Sequence, residues 1–412
     1  KDIPHLTHAL FPGTHCPLMG AAMAVGGIKD SLIVVVGTDE CTYYTKSMTI
    51  HSEKFGGIDG RCVSVVLDDH DVTFGSAEKV QEAFKEIIEE YRPQCVFLVT
   101  TCVIEIIGDD FDAISEGLSK LYGIPVLPVH TEHFKCEDHL PGLERTITVC
   151  AEMMKSCDCD NSVNLLGQRM GDFATTELYA MLQKAGVKIG LQLPCGCSVD
   201  DIKNAAAAKV NIVVNDIALP LAQKMQEKFG IPYVYFNKFV IPEKIYEAYK
   251  NLFGYLELEL PEELEGLYQN AREEIEKNKG ELEGITYIYG NTPYAVFEMN
   301  CFLSSLGMVP QVIQTNRYTE ADEPYAKEIL QYTDPYVCKA ANIAPLQYVY
   351  DVLSPYLYLG HEFGNRLRQK GIAIVHSDRA SGMLGFEVTG YLLQQLVKSV
   401  REAKEYRKEL GL

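Results

Sequence analysis

The sequence of 412 residues lacks tryptophan, has fewer basic than acidic residues and contains no long hydrophobic run. Lys and Arg number 37 against 57 Asp and Glu, a formal net charge of −20. This balance argues against binding to nucleic acid or to an anionic membrane, because both require basic protein surface. The longest apolar runs, such as residues 32–36, are far shorter than the ~20 residues that cross a bilayer. No signal peptide is visible at Lys1 to His5, so we expect a cytoplasmic protein.

The composition is otherwise that of a globular protein, with 47% hydrophobic and 23% charged residues. At roughly 100–200 residues per domain, the length predicts two to four domains. The unusual feature is the presence of 13 cysteines. They can be buried small hydrophobic residues, disulfides or metal ligands, and a reducing cytosol favours core thiols or ligands over disulfides.

A pattern occurs three times along the chain: an apolar run, a helical stretch, a glycine and a second apolar run. The three instances cover residues 96–129, 210–236 and 356–375. Short apolar runs that alternate with helices are typical of parallel βαβ units. The sequence therefore predicts an α/β fold of three Rossmann-like domains, with parallel sheets flanked by helices and a cleft between the domains.

We place the domains at residues 1–160, 161–280 and 281–412. The first contains Cys16, Cys41 and Cys102 and is expected to bind a metal cluster. The last ends in a long amphipathic helix. In open parallel sheets, ligands bind beyond the carboxyl ends of the strands. Metal-binding and titratable side chains follow several of the predicted strands, namely Cys41, Cys102, His130, Glu132, His133 and His376.

Three cysteines are the first candidates for a site. Cys16 lies in a Gly/Pro-rich loop that begins at Gly13, and Cys41 and Cys102 each follow a predicted strand. Their wide spacing excludes a local zinc knuckle, so any metal that they share would be assembled by the fold. Three cysteines brought together in this way suit an iron–sulfur cluster. The alternative is that all three are buried core thiols.

At this point the sequence resembles the nitrogenase component 1 family. The stretch Thr100-Thr101-Cys102 with Gly108-Asp109-Asp110 is similar to a signature of the family, and Cys16, Cys41 and Cys102 match its cluster cysteines. Residues 129–134 resemble the α-type subunit after its cluster helix. His376 falls where that subunit holds its active-site cofactor through a histidine.

The resemblance implies an oxidoreductase that accepts electrons from an ATP-dependent iron protein, similar to nitrogenase reductase. The electrons would enter a P-cluster-like or [4Fe–4S] cluster at the interface with a homologous subunit, in a homo- or hetero-oligomer. They would then reach a substrate or a second metallocluster, with His376 as a ligand and His130, His133 and His376 as candidate catalytic residues. The chain has no Walker A pattern, so we expect ATP hydrolysis in the partner.

Two departures from the family limit the function. Asp39 and Glu40 precede Cys41, and Asp39 is a conceivable carboxylate ligand. Asn215 and Asp216 stand where the α-type subunit has its cofactor cysteine, which argues against a dinitrogen-reducing subunit. Three hypotheses remain: a reductase of a small molecule, a scaffold for assembly of a nitrogenase-type metallocluster, and a structural or regulatory paralogue without a cluster.

Overall fold

The computed structural model of the chain describes residues 15–50, 60–136, 138–169, 171–290, 292, 294–315, 317–338 and 343–412. Lys1 to His5 and the loop residues Gly13 and Thr14 lie outside this part. The chain divides into two compact units. The cysteine unit contains residues 14–170 and 186–235, and the C-terminal unit contains residues 171–185 and 236–412.

The first sheet, sheet I, belongs to the cysteine unit. The elements up to residue 149 are α1 (Pro17–Gly26), β1 (Ile28–Lys29), β2 (Ser31–Gly37), α2 (Asp39–Ile50), β3 (Cys62–Val66), α3 (Asp69–Phe74), α4 (Ala77–Tyr91), β4 (Cys95–Val99), α5 (Cys102–Ile107), α6 (Phe111–Tyr122), β5 (Val126–Val129) and α7 (Leu140–Val149). Sheet I is parallel and has the strand order β3-β2-β4-β5. The sequence predicted the apolar strands β2, β4 and β5, but not β3 or the helices α2, α3, α5 and α7.

The second sheet, sheet II, belongs to the same unit. The next elements are β6 (Val163–Gln168), α8 (Glu177–Lys184), β7 (Ile189–Pro194), β8 (Cys197–Ser198), α9 (Val199–Lys203), β9 (Val210–Val213), α10 (Leu219–Phe229) and β10 (Tyr233–Tyr235). Sheet II is parallel in the order β10-β9-β6-β7, and a short β1–β8 ladder connects the two halves of the unit.

The third sheet, sheet III, forms the C-terminal unit. Its elements are α11 (Pro242–Leu256), α12 (Glu263–Leu282), β11 (Thr286–Tyr289), α13 (Val296–Ser305), β12 (Val309–Gln314), α14 (Glu323–Tyr332), β13 (Tyr336–Cys338), α15 (Ile343–Leu353), β14 (Leu357–Leu359), α16 (Gly364–Arg368), β15 (Ala373–Val375) and α17 (Glu387–Leu410). The strand order is β13-β12-β11-β14-β15, all parallel.

The predicted fold class is therefore confirmed: an α/β chain with parallel sheets flanked by helices. The repeated helix-glycine pattern also holds for α6 and α10, which end at Gly123 and Gly230 with φ of 70° and 73°. Glycine adopts this left-handed conformation without the steric cost of a Cβ atom. In the third instance α16 is short and ends before Gly371. Each predicted domain contains one of the three sheets, and the limits near residues 160 and 280 stay a prediction.

The core of the cysteine unit explains the apolar strands. Residues of β2 alternate between two clusters: Ile33 and Val35 pack with α1, α7 and sheet II, whereas Leu32 and Val34 pack with α4 and α6. All four are buried. A strand buried on both faces has no polar side, which is why it reads as a continuous apolar run. Burial on both faces places sheet I in the interior of the unit.

Helix α8 is joined to the C-terminal unit by two carboxylates, each of which accepts hydrogen bonds from the start of the other helix. The Glu177 carboxylate accepts hydrogen bonds from the backbone N–H groups of Phe386 and Glu387, at 3.0 and 3.2 Å, and from the Tyr249 hydroxyl at 2.9 Å. In return the Glu387 carboxylate accepts from the N–H groups of Glu177 and Leu384 at 3.1 and 3.0 Å. Each carboxylate satisfies N–H groups that a helix start leaves unpaired.

Candidate functional site

The three candidate cysteines lie at helix starts next to the carboxyl edge of sheet I. Cys16 is the residue that caps α1, Cys41 is in the first turn of α2, and Cys102 is the first residue of α5. Strands β2 and β4 end only two to three residues before α2 and α5 begin. Because a helix start carries partial positive charge, an anionic group bound between these cysteines would meet favourable charge there.

The three thiols are near one another. The charges of Cys102 and Cys16 both act on Cys41, and all three residues are partly buried. Burial raises the pKa of the Cys41 thiol above its ordinary value, a hydrogen bond with the Thr38 side chain opposes this, and the neighbouring thiols and Glu40 add to it. A bound metal would deprotonate such thiols outright.

The ligand types of the three cysteines can be compared with what a metal group requires. Among the described residues, the set of three possible ligand atoms within 4.8 Å of one another is Asp68, His70 and Asp71. Cys16, Cys41 and Cys102 supply three sulfur atoms, and cysteine thiolates are the ligands that iron–sulfur clusters take. The residues present therefore fit an iron–sulfur cluster.

The Asp68, His70 and Asp71 set has a structural explanation. The Asp68 side chain caps α3, accepting from the N–H groups of His70 and Asp71 at 2.9 and 3.1 Å. Lys79 pairs with both carboxylates, at 2.9 Å from Asp68 and 2.5 Å from Asp71. Hydrogen bonding to Lys79, together with the bonds from the backbone, lowers the pKa of Asp68 to about 2. The set is a capped and charge-paired helix start.

Close backbone approaches hold the cysteines in place. A Cβ added to Gly142 of α7 would lie 1.8 Å from the carbonyl oxygen of Pro17, the residue after Cys16. A Cβ at Gly20 would lie 1.9 Å from the carbonyl oxygen of His139. Helices α1 and α7 therefore cross at a pair of glycines, and this crossing sets the position of Cys16.

A similar approach fixes the ends of β2 and β4. A Cβ at Gly37 would lie 2.1 Å from the Thr101 hydroxyl oxygen. Gly37 is the last residue of β2 and Thr101 directly precedes Cys102. Only a glycine at this strand end lets the two segments that carry Cys41 and Cys102 approach so closely.

The two predicted histidines after β5 have different surroundings. His133 is exposed, and its backbone N–H contacts Cys102 Sγ at an N···S distance of 3.3 Å. His130 is partly buried and its Nδ1 lies 2.7 Å from Glu105 Oε1, while its Nε2 lies 3.6 Å from Asp112. Burial by itself would lower the pKa of His130, but the hydrogen bond with Glu105 and the two carboxylate charges outweigh burial and raise it.

Helix α7 holds the segment after β5 from the other side. Arg145 donates to the carbonyl oxygen of His130 at 2.7 Å and pairs with Glu132 at 2.8 Å. Partial burial of Glu132 acts to raise its pKa, but a backbone hydrogen bond and the charges of Arg145 and Lys135 outweigh it, so the pKa is lowered. Glu132 is therefore an ion-pair partner that orders the segment beside Cys102.

His376 lies in the C-terminal unit, whereas the three cysteines lie in the cysteine unit. It follows β15, as the sequence predicted, and its side chain is exposed. Its backbone carbonyl accepts from the Tyr391 hydroxyl at 3.1 Å.

Sequence reasoning missed three residues of this region: Thr100, Glu105 and Arg145. Glu105 is one helical turn after Cys102, but six residues are too few for a clear helical period, so the helix that puts both on one face was not predicted. Its partner His130 could not be found either, because the pairing depends on the β4–β5 register, in which Val99 lies beside Val129. Arg145 has no local signal at all.

Comparison with known proteins identifies the family. The profile described as "Nitrogenase component 1 type Oxidoreductase" matches residues 16–401. The chain belongs to this family, and the resemblance predicted from the sequence is confirmed. A solved structure described as "Nitrogenase Cp1 at pH 6.5" superimposes with a TM-score of 0.82 at 15% identity, covering 98% of this chain and 96% of that one. At that identity the likeness shows the fold.

Curated relatives include two proteins named nitrogenase iron-molybdenum cofactor biosynthesis protein NifE. The one from Clostridium pasteurianum is 31% identical over 224 residues, 53% of this chain and 49% of the relative. The one from Rippkaea orientalis is 25% identical over 331 residues, 76% of this chain and 69% of the relative. The nitrogenase molybdenum-iron protein alpha chain of Methanosarcina barkeri is 25% identical over 309 residues, covering 71% and 58%. The chain thus spans about half the length of the first of these relatives.

None of the helices in the described part of the chain combines the length and the apolar character that a membrane span requires.

Proposed function

We propose that the chain is a component 1 type subunit that holds an iron–sulfur cluster on Cys16, Cys41 and Cys102 and receives electrons from an ATP-dependent iron protein. The supporting observation is that three partly buried thiols gather at helix starts on one edge of a parallel sheet. A bound cluster would supply one-electron redox chemistry. The electrons would pass to a substrate or to a second metallocluster.

The cluster site is proposed to lie at the interface with a homologous subunit. One chain supplies three thiolates, and a [4Fe–4S] cluster takes four protein ligands, so a ligand from outside is needed. Large apolar side chains near the cysteines are exposed: Tyr43 and Ile106 each by 73% and Phe134 by 56%. These apolar side chains are available for contact with another subunit. Two copies of the chain, or this chain and a paralogue, would cover them.

The histidines are proposed to act on the substrate side. His133 and His376 have exposed imidazole rings, and imidazole is the side chain that most often transfers protons in catalysis. His376 is also the proposed ligand of a second metallocluster. The contacts of His130 with Glu105 and Asp112 favour a structural role as an ion-pair partner over a role as proton donor to a substrate.

A scaffold for assembly of a nitrogenase-type metallocluster is the second candidate. It is favoured by the NifE relatives, which are named as cofactor biosynthesis proteins. The end of β9 also offers Asn215 and Asp216 in place of a thiol. Asn215 accepts from the N–H of Ile217 at 3.2 Å, and Asp216 binds the Tyr235 hydroxyl, so both side chains have local partners.

Metal analysis of anaerobically purified protein tests the cluster site. We expect iron and acid-labile sulfide with an electron paramagnetic resonance signal after reduction, and loss of both in Cys102→Ala. The matched control is Cys338→Ala, a partly buried thiol of β13 in the other unit, which should keep them. Iron content that is equal in the two variants would contradict the assignment.

A second experiment separates the two functions. The loaded protein is mixed with its iron protein, ATP and reductant, and separately with a cluster-free acceptor of the nitrogenase family. Release of a reduced product supports the reductase, whereas transfer of iron and sulfide to the acceptor without product supports the scaffold.

A further inference from the structure

We infer that Glu105 is a positioning residue. It holds the start of α5, which carries Cys102, against the segment after β5, and this contact places the His133 N–H next to Cys102 Sγ. This clamp concerns the proposed cluster site and in that sense rests on the proposed function. The argument depends on contacts within the cysteine unit alone.

One oxygen of Glu105 contacts two different segments. Oε1 accepts from the Thr100 hydroxyl, which precedes α5, and lies within hydrogen-bond distance of His130 Nδ1, at 2.7 Å. Glu105 is therefore the direct connection between α5 and His130.

Further hydrogen bonds connect the same two segments. The Thr131 N–H donates to the Thr100 hydroxyl at 3.2 Å, and the Thr131 hydroxyl donates to the Thr100 carbonyl oxygen at 2.6 Å. Both threonines are buried. The next contact between the two segments is that of the His133 N–H with Cys102 Sγ, at 3.3 Å. This series of contacts therefore leads from Glu105 to the sulfur atom of the proposed ligand.

The helix α5 itself gives little support to its own start. The helix has six residues and ends at Gly108, and Thr101 makes no side-chain capping hydrogen bond. Short helices are marginal unless tertiary contacts hold them. The Glu105 side chain is 14% exposed and His130 36%, whereas Asp112 at the outer end is 74% exposed. The Glu105–His130 bond is therefore the shielded part of the network, where a hydrogen bond is strongest.

Two variants isolate the clamp from the charge of Glu105. Glu105→Ala removes the charge and the acceptor, whereas Glu105→Gln removes the charge and keeps an acceptor oxygen. Glu116→Ala is the external control, because Glu116 is exposed on α6 and pairs with Lys120. Any difference between Glu105→Ala and Glu105→Gln reports the hydrogen bonds.

The first measurement is hydrogen–deuterium exchange of the cluster-free protein, with peptides that cover residues 101–107, 130–136 and 163–168. In Glu105→Ala we expect about fivefold faster exchange in the first two peptides, the effect of losing one typical hydrogen bond, and no change in the third. Glu105→Gln should lie nearer to the wild type, and Glu116→Ala should match it. Unchanged exchange, or equal acceleration in all three peptides, would overturn the inference.

The second measurement is the reduction potential of the loaded protein. Hydrogen bonds to the sulfurs set cluster potentials, and they stabilise the more negative, reduced form. We expect a lower potential in Glu105→Ala than in Glu105→Gln. Equal potentials would overturn the positioning of the His133 N–H. If the wild type contains no iron, the proposed function fails, and the exchange experiment alone decides whether the clamp exists.

Discussion

The crossing of α1 and α7 gives the sharpest prediction about stability. Replacing Gly142 with alanine puts a methyl group 1.8 Å from the carbonyl oxygen of Pro17 and 3.0 Å from the N–H nitrogen of Ala21. Real contacts of this kind are essentially never shorter than 3.0 Å, so α1 must move away by at least about 1.2 Å. The neighbouring atoms are backbone and cannot change rotamer.

The expected cost of Gly142→Ala is about 2 kcal/mol, within the range for overpacking a core. For a unit of about 200 residues this lowers Tm by roughly 4–8 °C. Because Pro17 follows Cys16, the displaced helix should also weaken cluster binding, seen as a lower iron content. Scanning calorimetry and metal analysis measure the two effects.

Gly117→Ala is the matched control, since Gly117 lies within α6 of the same unit and an added Cβ meets no atom within 4 Å. Alanine in an open helix position should raise stability by about 0.5–1 kcal/mol. If Gly142→Ala melts at or above the wild-type temperature, as the control should, the close crossing of the two helices is refuted.

Three further predictions concern titration. Burial raises the pKa of Glu177, so the stabilising effect of its protonated form is present at low pH and is lost as pH rises through the folded-state pKa. Denaturation at several pH values should therefore show a flatter dependence of the unfolding free energy on pH in Glu177→Gln than in the wild type. An identical pH dependence in the two proteins would contradict this. The raised pKa of His130 should fall in Asp112→Asn by nuclear magnetic resonance titration, because an attractive charge is lost; an unchanged value would remove Asp112 from the network. In cluster-free protein at neutral pH, the Cys41 thiol, with a pKa raised by burial, should react with iodoacetamide more slowly than the exposed Cys157; equal rates would count against its burial.

The parallel-sheet architecture was predictable because strands buried on both faces leave a local pattern. The runs that became β4, β5 and β15 are apolar without alternation, and the glycines that follow α6 and α10 mark the helix ends. The sequence did not predict α2 or α5, the helices that carry Cys41 and Cys102. Helix α5 has only six residues, which is too short for a clear helical period.

The candidate cysteines followed from two local facts: ligands bind at the carboxyl ends of parallel strands, and Cys41 and Cys102 follow such strands. Which side chains surround the thiols depends on distant segments. The β4–β5 register puts His130 within reach of Glu105, and the α1–α7 crossing places Gly142 against Pro17. Local periodicity reports burial and secondary structure, whereas partners far apart in the chain are chosen by register and helix packing, which no local pattern records.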